Sequence, residues 1–467
     1  MILTSEKSGM HSLYEIITVF ILFLGLGFPG NYEVFLGEKL CTLLEYGAFV
    51  LELLIMLFSS GESFLEVRIV NIRFCYRPIY FLVAVFFIES MAVTRYPQEQ
   101  LISCLRFSVT VFFALWLLDH FGIRRTLELI LYAQAGIVAA SLLLMVIAPG
   151  ASFSSEQSAH DFIGLLNAKN SAASEFSCGI LIQGILLRYR MQEKKPVSQR
   201  FIILLVLQII LLLMCHATGP VFFVLIPLMY LFWIEPRRDE RNRLHIGLDY
   251  ILVSIAFLIA ALNILPLFTP ILNALGKDAT LTGRTVLWNR IIEMMTQSHT
   301  FTGYGYEMFW RDTRAVAEYH AGFEANSWGS TMTTGAHNVL LEFWLNVGLL
   351  GIAAFFVMIL DATKRIYEVP AQQYLFTSTF LMHAALHGLT ERAFGTSNYF
   401  TLFFFLAIAA ACSRPKGKVS GSRLMKGTGE NAEHGIRRTG SGRGDSEYSA
   451  ADNGLHGNTA GIDPKSL

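Results

Sequence analysis

The sequence reads as an all-α polytopic membrane protein of about twelve transmembrane helices with one long outward loop containing amphipathic helices, on three observations. Of its 467 residues, 53% are hydrophobic and the mean hydropathy is +0.48, too apolar for one soluble domain of that size. The apolar residues form continuous runs and do not alternate at period two, which specifies helices and excludes a barrel. Lys and Arg are distributed unevenly between successive connections, as the positive-inside bias requires.

A helix needs about 20 apolar residues to cross a hydrocarbon core roughly 30 Å thick. Runs of this kind lie near 12–29, 40–58, 79–94, 101–118, 126–148, 170–187, 201–217, 219–234, 248–269, 338–360, 373–390 and 395–412. The first follows a polar N-terminus with one Lys and has no small-residue cleavage site behind it, so it is expected to be a retained helix. With the N-terminus inside, the inner connections carry Arg68, Arg73 and Arg77; Arg124 and Arg125; Arg188, Arg190, Lys194, Lys195 and Arg200; Arg237, Arg238, Arg241 and Arg243; and Lys364 and Arg365. The short outer connections carry only Lys39, Arg95, Lys169 and Arg392. Both termini are therefore expected in the cytoplasm. Residues 1–412 form the membrane domain, with 273–338 as the long outer loop, and 413–467, rich in Gly, Ser, Lys and Arg, form a disordered tail. The six cysteines sit singly and the long loop has none, a usage that fits neither a disulfide framework nor a zinc site.

The long loop holds the candidate chemistry. It contains Thr282-Gly283-Arg284 and Leu287-Trp288, then Gly303-Tyr304-Gly305-Tyr306, and closes on Ala336-His337-Asn338. His337 stands at the N-terminal end of the next span, where the helix dipole disfavours added positive charge, so a neutral imidazole could accept a proton from a hydroxyl nucleophile. The competing reading is an interfacial His bonded to headgroups. Arg284 opens a helical pattern in which Leu287, Trp288, Ile291, Met294 and Met295 share one side, expected to lie along the membrane interface. A guanidinium grips phosphate oxygens bidentately; a simple snorkelling anchor is the alternative, stronger for Arg290, Arg311 and Arg314. Lys169 faces the same side, and Arg106 lies about a turn below it. The Glu residues within the spans, Glu45, Glu52, Glu89, Glu175 and Glu342, are read as interhelical partners, and Gly348 and Gly351 as close-packing positions.

Thr282-Gly283-Arg284 with Leu287-Trp288, Gly303-Tyr304-Gly305, His337-Asn338 leading to Glu342 and Gly348-Leu349-Leu350-Gly351, together with Lys169-Asn170 and Leu389-Thr390-Glu391, resemble the O-antigen ligase and polymerase superfamily, most of all exopolysaccharide polymerases. The resemblance covers about 160–395. It implies a glycosyltransferase of the bacterial inner membrane that uses a polyprenyl-diphosphate-linked oligosaccharide at the periplasmic face. It further implies His337 as the catalytic group and Arg284, with Lys169, Arg106 or Arg290, as diphosphate contacts. Asn338, Trp288 and Asn170 would support them. It implies no metal, no cofactor and no nucleic-acid partner; the partners are the lipid bilayer, the lipid-linked substrate and a chain-length regulator. Where many relatives have His before Lys-Asn, this chain has Ala168, and where many have Arg it has Cys215-His216-Ala217, so the second diphosphate contact is left open.

The expected activity is polymerisation of lipid-linked repeat units. The alternatives are a ligase that moves the glycan to lipid A core or protein, a polysaccharide-related transporter, and a regulatory subunit. Against the transporter, no pair of matching interrupted spans suggests inverted repeats.

Overall fold

The computed structural model describes residues 13–27, 36–58, 76–154, 161–235, 283–323, 335–391 and 399–413, with a few isolated positions between 255 and 270. Among the described residues the architecture is helical, with no strand beyond one bridge between Phe153 and Phe162. The helices are α1 (Leu13–Gly27), α2 (Glu38–Phe58), α3 (Arg77–Val93), α4 (Pro97–Ile147), α5 (Lys169–Gln192), α6 (Gln199–Met214), α7 (Thr218–Met229), α8 (Arg284–Gln297), α9 (Thr313–His320), α10 (Val339–Arg365), α11 (Ala371–Thr390) and α12 (Tyr399–Cys412). Most of the expected segment 248–269, Thr282, Arg392 and the tail beyond 413 lie outside the described residues.

By length and composition α2, α4 and α10 are long and apolar enough to cross a membrane, while α1, α6, α7 with the π-helical turn after it, and α12 are shorter apolar helices. Helix α4 would run about 76 Å if straight, more than twice the hydrocarbon thickness. It breaks instead at Gly122, whose φ of 72° is left-handed, and the Thr126 hydroxyl bridges the carbonyls of Leu117 and Gly122 at 2.9 and 2.8 Å. Its two arms match the expected segments 101–118 and 126–148.

Helix α5 is the most polar of the long helices, yet nearly all of it is buried, including Ser174, Glu175, Ser177 and Gln183. Polar groups at this depth face protein and not lipid. Helix α12 is buried along its length from Phe400 to Cys412, and α11 packs against both α12 and α7.

Two expectations are corrected. The apolar face of α8 was expected to rest on lipid. Leu287, Trp288, Ile291, Met294 and Met295 instead pack with Phe309, Tyr319, Ala336, Leu341 and Leu345 in a protein core of their own. The periodicity that predicts an apolar face is blind to what covers it. Gly348, expected to serve helix packing, breaks α10: with Val347 it leaves helical geometry (φ 59°). The backbone of Thr300 and Phe301 docks there, accepting hydrogen bonds from Leu349 N and Leu350 N at 3.0 and 3.3 Å. A Cβ on Gly348 would fall 2.1 Å from Phe301 O.

Candidate functional site

The last carbonyls of an α-helix have no partner inside it, and the helix dipole makes that end attractive to cations. At the end of α11 both opportunities are taken. Asn338 Nδ2 donates to Leu389 O at 3.1 Å, and the Arg284 guanidinium donates through Nη1 to Thr390 O. Just past the helix, Glu391 receives Arg284 Nη2 on Oε1 at 2.8 Å and pairs through Oε2 with His337 Nδ1 at 3.1 Å. Asn170, on the first turn of α5, reaches Oε1 at 3.5 Å. One carboxylate thus joins Arg284 and His337.

Local chemistry sets each group in place. Gly283, left-handed at φ 84°, turns the chain into α8 so that Arg284 is its first residue. The buried Trp288 indole donates to Ala336 O at 2.8 Å, and Ala336 N donates to Glu342 Oε2 at 2.7 Å. On the other flank Asn338 caps α10, its Oδ1 accepting from Leu340 N and Leu341 N at 3.0 and 3.2 Å. Held from both sides, His337 takes a left-handed backbone at φ 49°. Such a conformation costs on the order of 1 kcal/mol or more in a residue other than Gly, and clusters at functional sites.

Burial by itself would raise the Glu391 carboxyl; the His337 hydrogen bond and the Arg284 charge outweigh it and hold the group at about 2. Glu391 is therefore ionised at every physiological pH. An ionised carboxylate only accepts, so the Nδ1 hydrogen of His337 points at it. An imidazole oriented by a carboxylate is suited to general-base work on a hydroxyl.

A second cluster lies nearby. The buried Asp161 takes Lys169 Nζ on one oxygen at 2.8 Å and His216 Nδ1 on the other at 3.2 Å. Lys169 adjoins Asn170, which links this cluster to Glu391. His216 shares the left-handed φ of 49° with His337 and leaves 61% of its side chain exposed. An apolar cavity of about 240 Å³ lies beside the first turns of α10, lined by Leu340, Leu341 and Trp344 with Ile292 of α8 and Ile352 and Phe356 further along α10.

The structure brings together Arg284 and His337; Asn338, Trp288 and Asn170 bond beside them to Leu389 O, Ala336 O and Glu391, and Lys169 lies in the adjacent cluster. Arg106 is not brought to them. It pairs with Glu45 and lies over the rings of Tyr46 and Phe49 at 5.5 and 4.7 Å, because α2 offers it a carboxylate and two aromatic faces. Arg290 is also committed elsewhere: Nε and Nη2 donate to Tyr319 O and Glu318 O at 3.3 and 2.7 Å, and Nη1 to Glu293 at 2.8 Å. It fastens α8 to α9. Glu391 was legible in the sequence only as part of Leu389-Thr390-Glu391, and Asp161 carried no signal; their importance arises from the partners that tertiary contact delivers.

Two stretches of the chain are similar to known proteins. Residues 203–356 match the O-antigen ligase family, a stretch that includes Arg284 and His337 and stops short of Glu391. The exopolysaccharide production protein ExoQ of Rhizobium meliloti (strain 1021) is 35% identical over 92 residues, which is 20% of this chain and 20% of the relative. The chain thus matches about a fifth of that relative's length. Over these stretches the chain is similar to proteins of the O-antigen ligase/polymerase type.

Proposed function

We propose that the chain is a glycosyltransferase of the bacterial inner membrane that polymerises polyprenyl-diphosphate-linked saccharide repeat units. The observation that carries this reading is the Glu391 carboxylate shared by Arg284 and His337, two side chains that arrive from opposite ends of the outer loop. In the reaction the acceptor hydroxyl loses its proton to His337 Nε2 while its oxygen bonds to the anomeric carbon of the donor. The bond from that carbon to the diphosphate breaks, and its electron pair leaves with the phosphate oxygen. A diphosphate departs as a stabilised anion, so it needs positive charge more than a proton. Arg284 supplies that charge, with Lys169 and His216 as the second contact. Glu391 stabilises the imidazolium as it forms. The apolar cavity beside α10 accepts the first isoprenoid groups of the lipid.

The same reading places the site in the periplasm, both termini in the cytoplasm and about twelve crossings between them, as the charge bias of the short loops implies. The test is transfer of a labelled polyprenyl-diphosphate-linked glycan by purified Arg284→Ala and His337→Ala protein in lipid nanodiscs. Both variants are expected to lose at least a hundredfold in rate, about 2.7 kcal/mol of transition-state stabilisation. Normal product from both would overturn the proposal.

The match to a family described as O-antigen ligase favours one alternative, transfer of a finished glycan to a different acceptor. A deletion strain separates the two. Repeat units accumulate without polymer if the chain polymerises, whereas free lipid-linked polymer accumulates if it ligates.

A further inference from the structure

Helices α5 and α11 run antiparallel and meet through three polar rungs at a constant spacing. Asn170 faces Glu391, Ser174 Oγ lies 2.7 Å from His387 Nε2, and Cys178 Sγ lies 3.6 Å from His383 Nε2. Each step is four residues along both helices, in opposite directions, so all six side chains lie on the two facing stripes. The outermost rung contains the carboxylate that holds Arg284 and His337.

The middle rung is packed among aromatic rings. His387 and Ser174 are buried. The His387 ring stacks on Phe400 at 4.5 Å and meets Phe223 edge-on at 5.6 Å. Glu391 N donates to His387 O at 3.0 Å, so the carboxylate rides on the turn of helix that His387 anchors. A polar pair inside an apolar interface specifies register, because a slip leaves buried groups without partners. A slip of one turn would move Glu391 by about 5.4 Å along the axis, out of reach of His337.

We propose that Ser174 and His387 are positioning residues for glycosyl transfer: their pair sets the register of α11 on α5 and so holds Glu391 with one oxygen toward Arg284 and the other toward His337. The proposal rests on the glycosyl-transfer reading for its kinetic consequence, but its geometric consequence can be measured without substrate. Without the middle rung the carboxylate turns toward Arg284 with both oxygens, and His337 loses its anchor. Donor binding stays with Arg284 while proton acceptance fails, so kcat falls and KM does not.

The experiment uses full-length protein in lipid nanodiscs. The rate of His337 acylation by diethyl pyrocarbonate at neutral pH is followed by peptide mass spectrometry, and transfer kinetics are measured on the same samples. Ser174→Ala and His387→Leu are expected to slow His337 acylation roughly tenfold, the factor that loss of one charge-assisted hydrogen bond to Nδ1 represents, and to lower kcat with KM within about twofold. The exchange of partners, Ser174→His with His387→Ser, rebuilds the rung in reverse and is expected to return both readouts toward wild type. Cys178→Ala, on the innermost rung, leaves both unchanged. Wild-type acylation rates in Ser174→Ala, or equal slowing by Cys178→Ala, would overturn the proposal. If His387→Leu does not fold, Ser174→Ala, which removes a single hydroxyl, decides. Should the wild-type protein transfer no glycan, the functional reading fails while the acylation arm still judges the positioning role.

Discussion

Replacing Glu391 by Gln removes one negative charge while keeping the shape of the side chain, and its hydrogen bonds to Arg284 and His337 set the size of the loss. The carboxylate accepts from Arg284 at 2.8 Å and from His337 at 3.1 Å, with its side chain only 16% exposed. A hydrogen bond to a charged group contributes about 1.5–3 kcal/mol, and the one to His337 strengthens as the imidazolium forms. An amide also has a hydrogen to give. With its oxygen toward Arg284 its NH₂ faces His337 Nδ1, which must then accept, so the ring proton moves to Nε2 and blocks the base. Loss of about 3 kcal/mol corresponds to about a hundredfold in kcat, with the tautomer change adding to it. The assay is transfer of a fluorescent polyprenyl-diphosphate-linked glycan in nanodiscs at saturating donor. Glu391→Asp, which keeps the charge on a shorter stem, is expected to fall between the two. Activity of Glu391→Gln within threefold of wild type, in protein of unchanged thermal stability, would refute the assignment of the carboxylate to His337.

Three further outcomes are expected. Because the Glu391 carboxyl sits at about 2 in the folded protein against 4.5 for an ordinary Glu, its contribution to stability is present above about pH 5 and is lost as the pH falls toward 2. Wild-type melting temperature in detergent should therefore drop across that window more steeply than that of Glu391→Gln, and parallel curves would count against the ion pair. Gly348→Ala places a Cβ 2.1 Å from Phe301 O at a left-handed position and is expected to destabilise by about 2 kcal/mol or more, whereas Gly47→Ala, where the Cβ meets nothing within 4 Å, should be neutral or stabilising; thermal melts compare them. Arg290→Ala cuts the fastening of α8 to α9 and should lower the melting temperature while leaving donor KM within about twofold, an outcome that a direct diphosphate contact would reverse.

The helices and the paired loop residues were legible in the chain for a plain reason. Length and continuity of apolar runs depend on composition alone, so the bounds of α2, α6 and α10 come from counting residues against bilayer thickness. Arg284 and His337 stood out because one opens a helix and the other stands just before one, in a loop otherwise built of turns and aromatics. The polarity of α5 was also visible, but its cause was not: Ser174, Glu175 and Gln183 are buried among neighbouring helices, and nothing in their own segment says so.

What joins Arg284 to His337 belongs to the tertiary structure. Glu391 ends an apolar run like any other end-of-helix acid until α11 stands antiparallel to α5 and the residues around Arg284 and Asn338 meet its last carbonyls. Whether Leu287 and Trp288 meet lipid or protein, and whether Gly348 packs a helix or breaks one, depends likewise on segments distant in the chain. Local pattern determines how a segment can bury its apolar side and satisfy its backbone. Which partner does the burying, and which carboxylate a cation finds, is decided by packing between elements, where one register leaves buried polar groups paired and its alternatives leave them stranded.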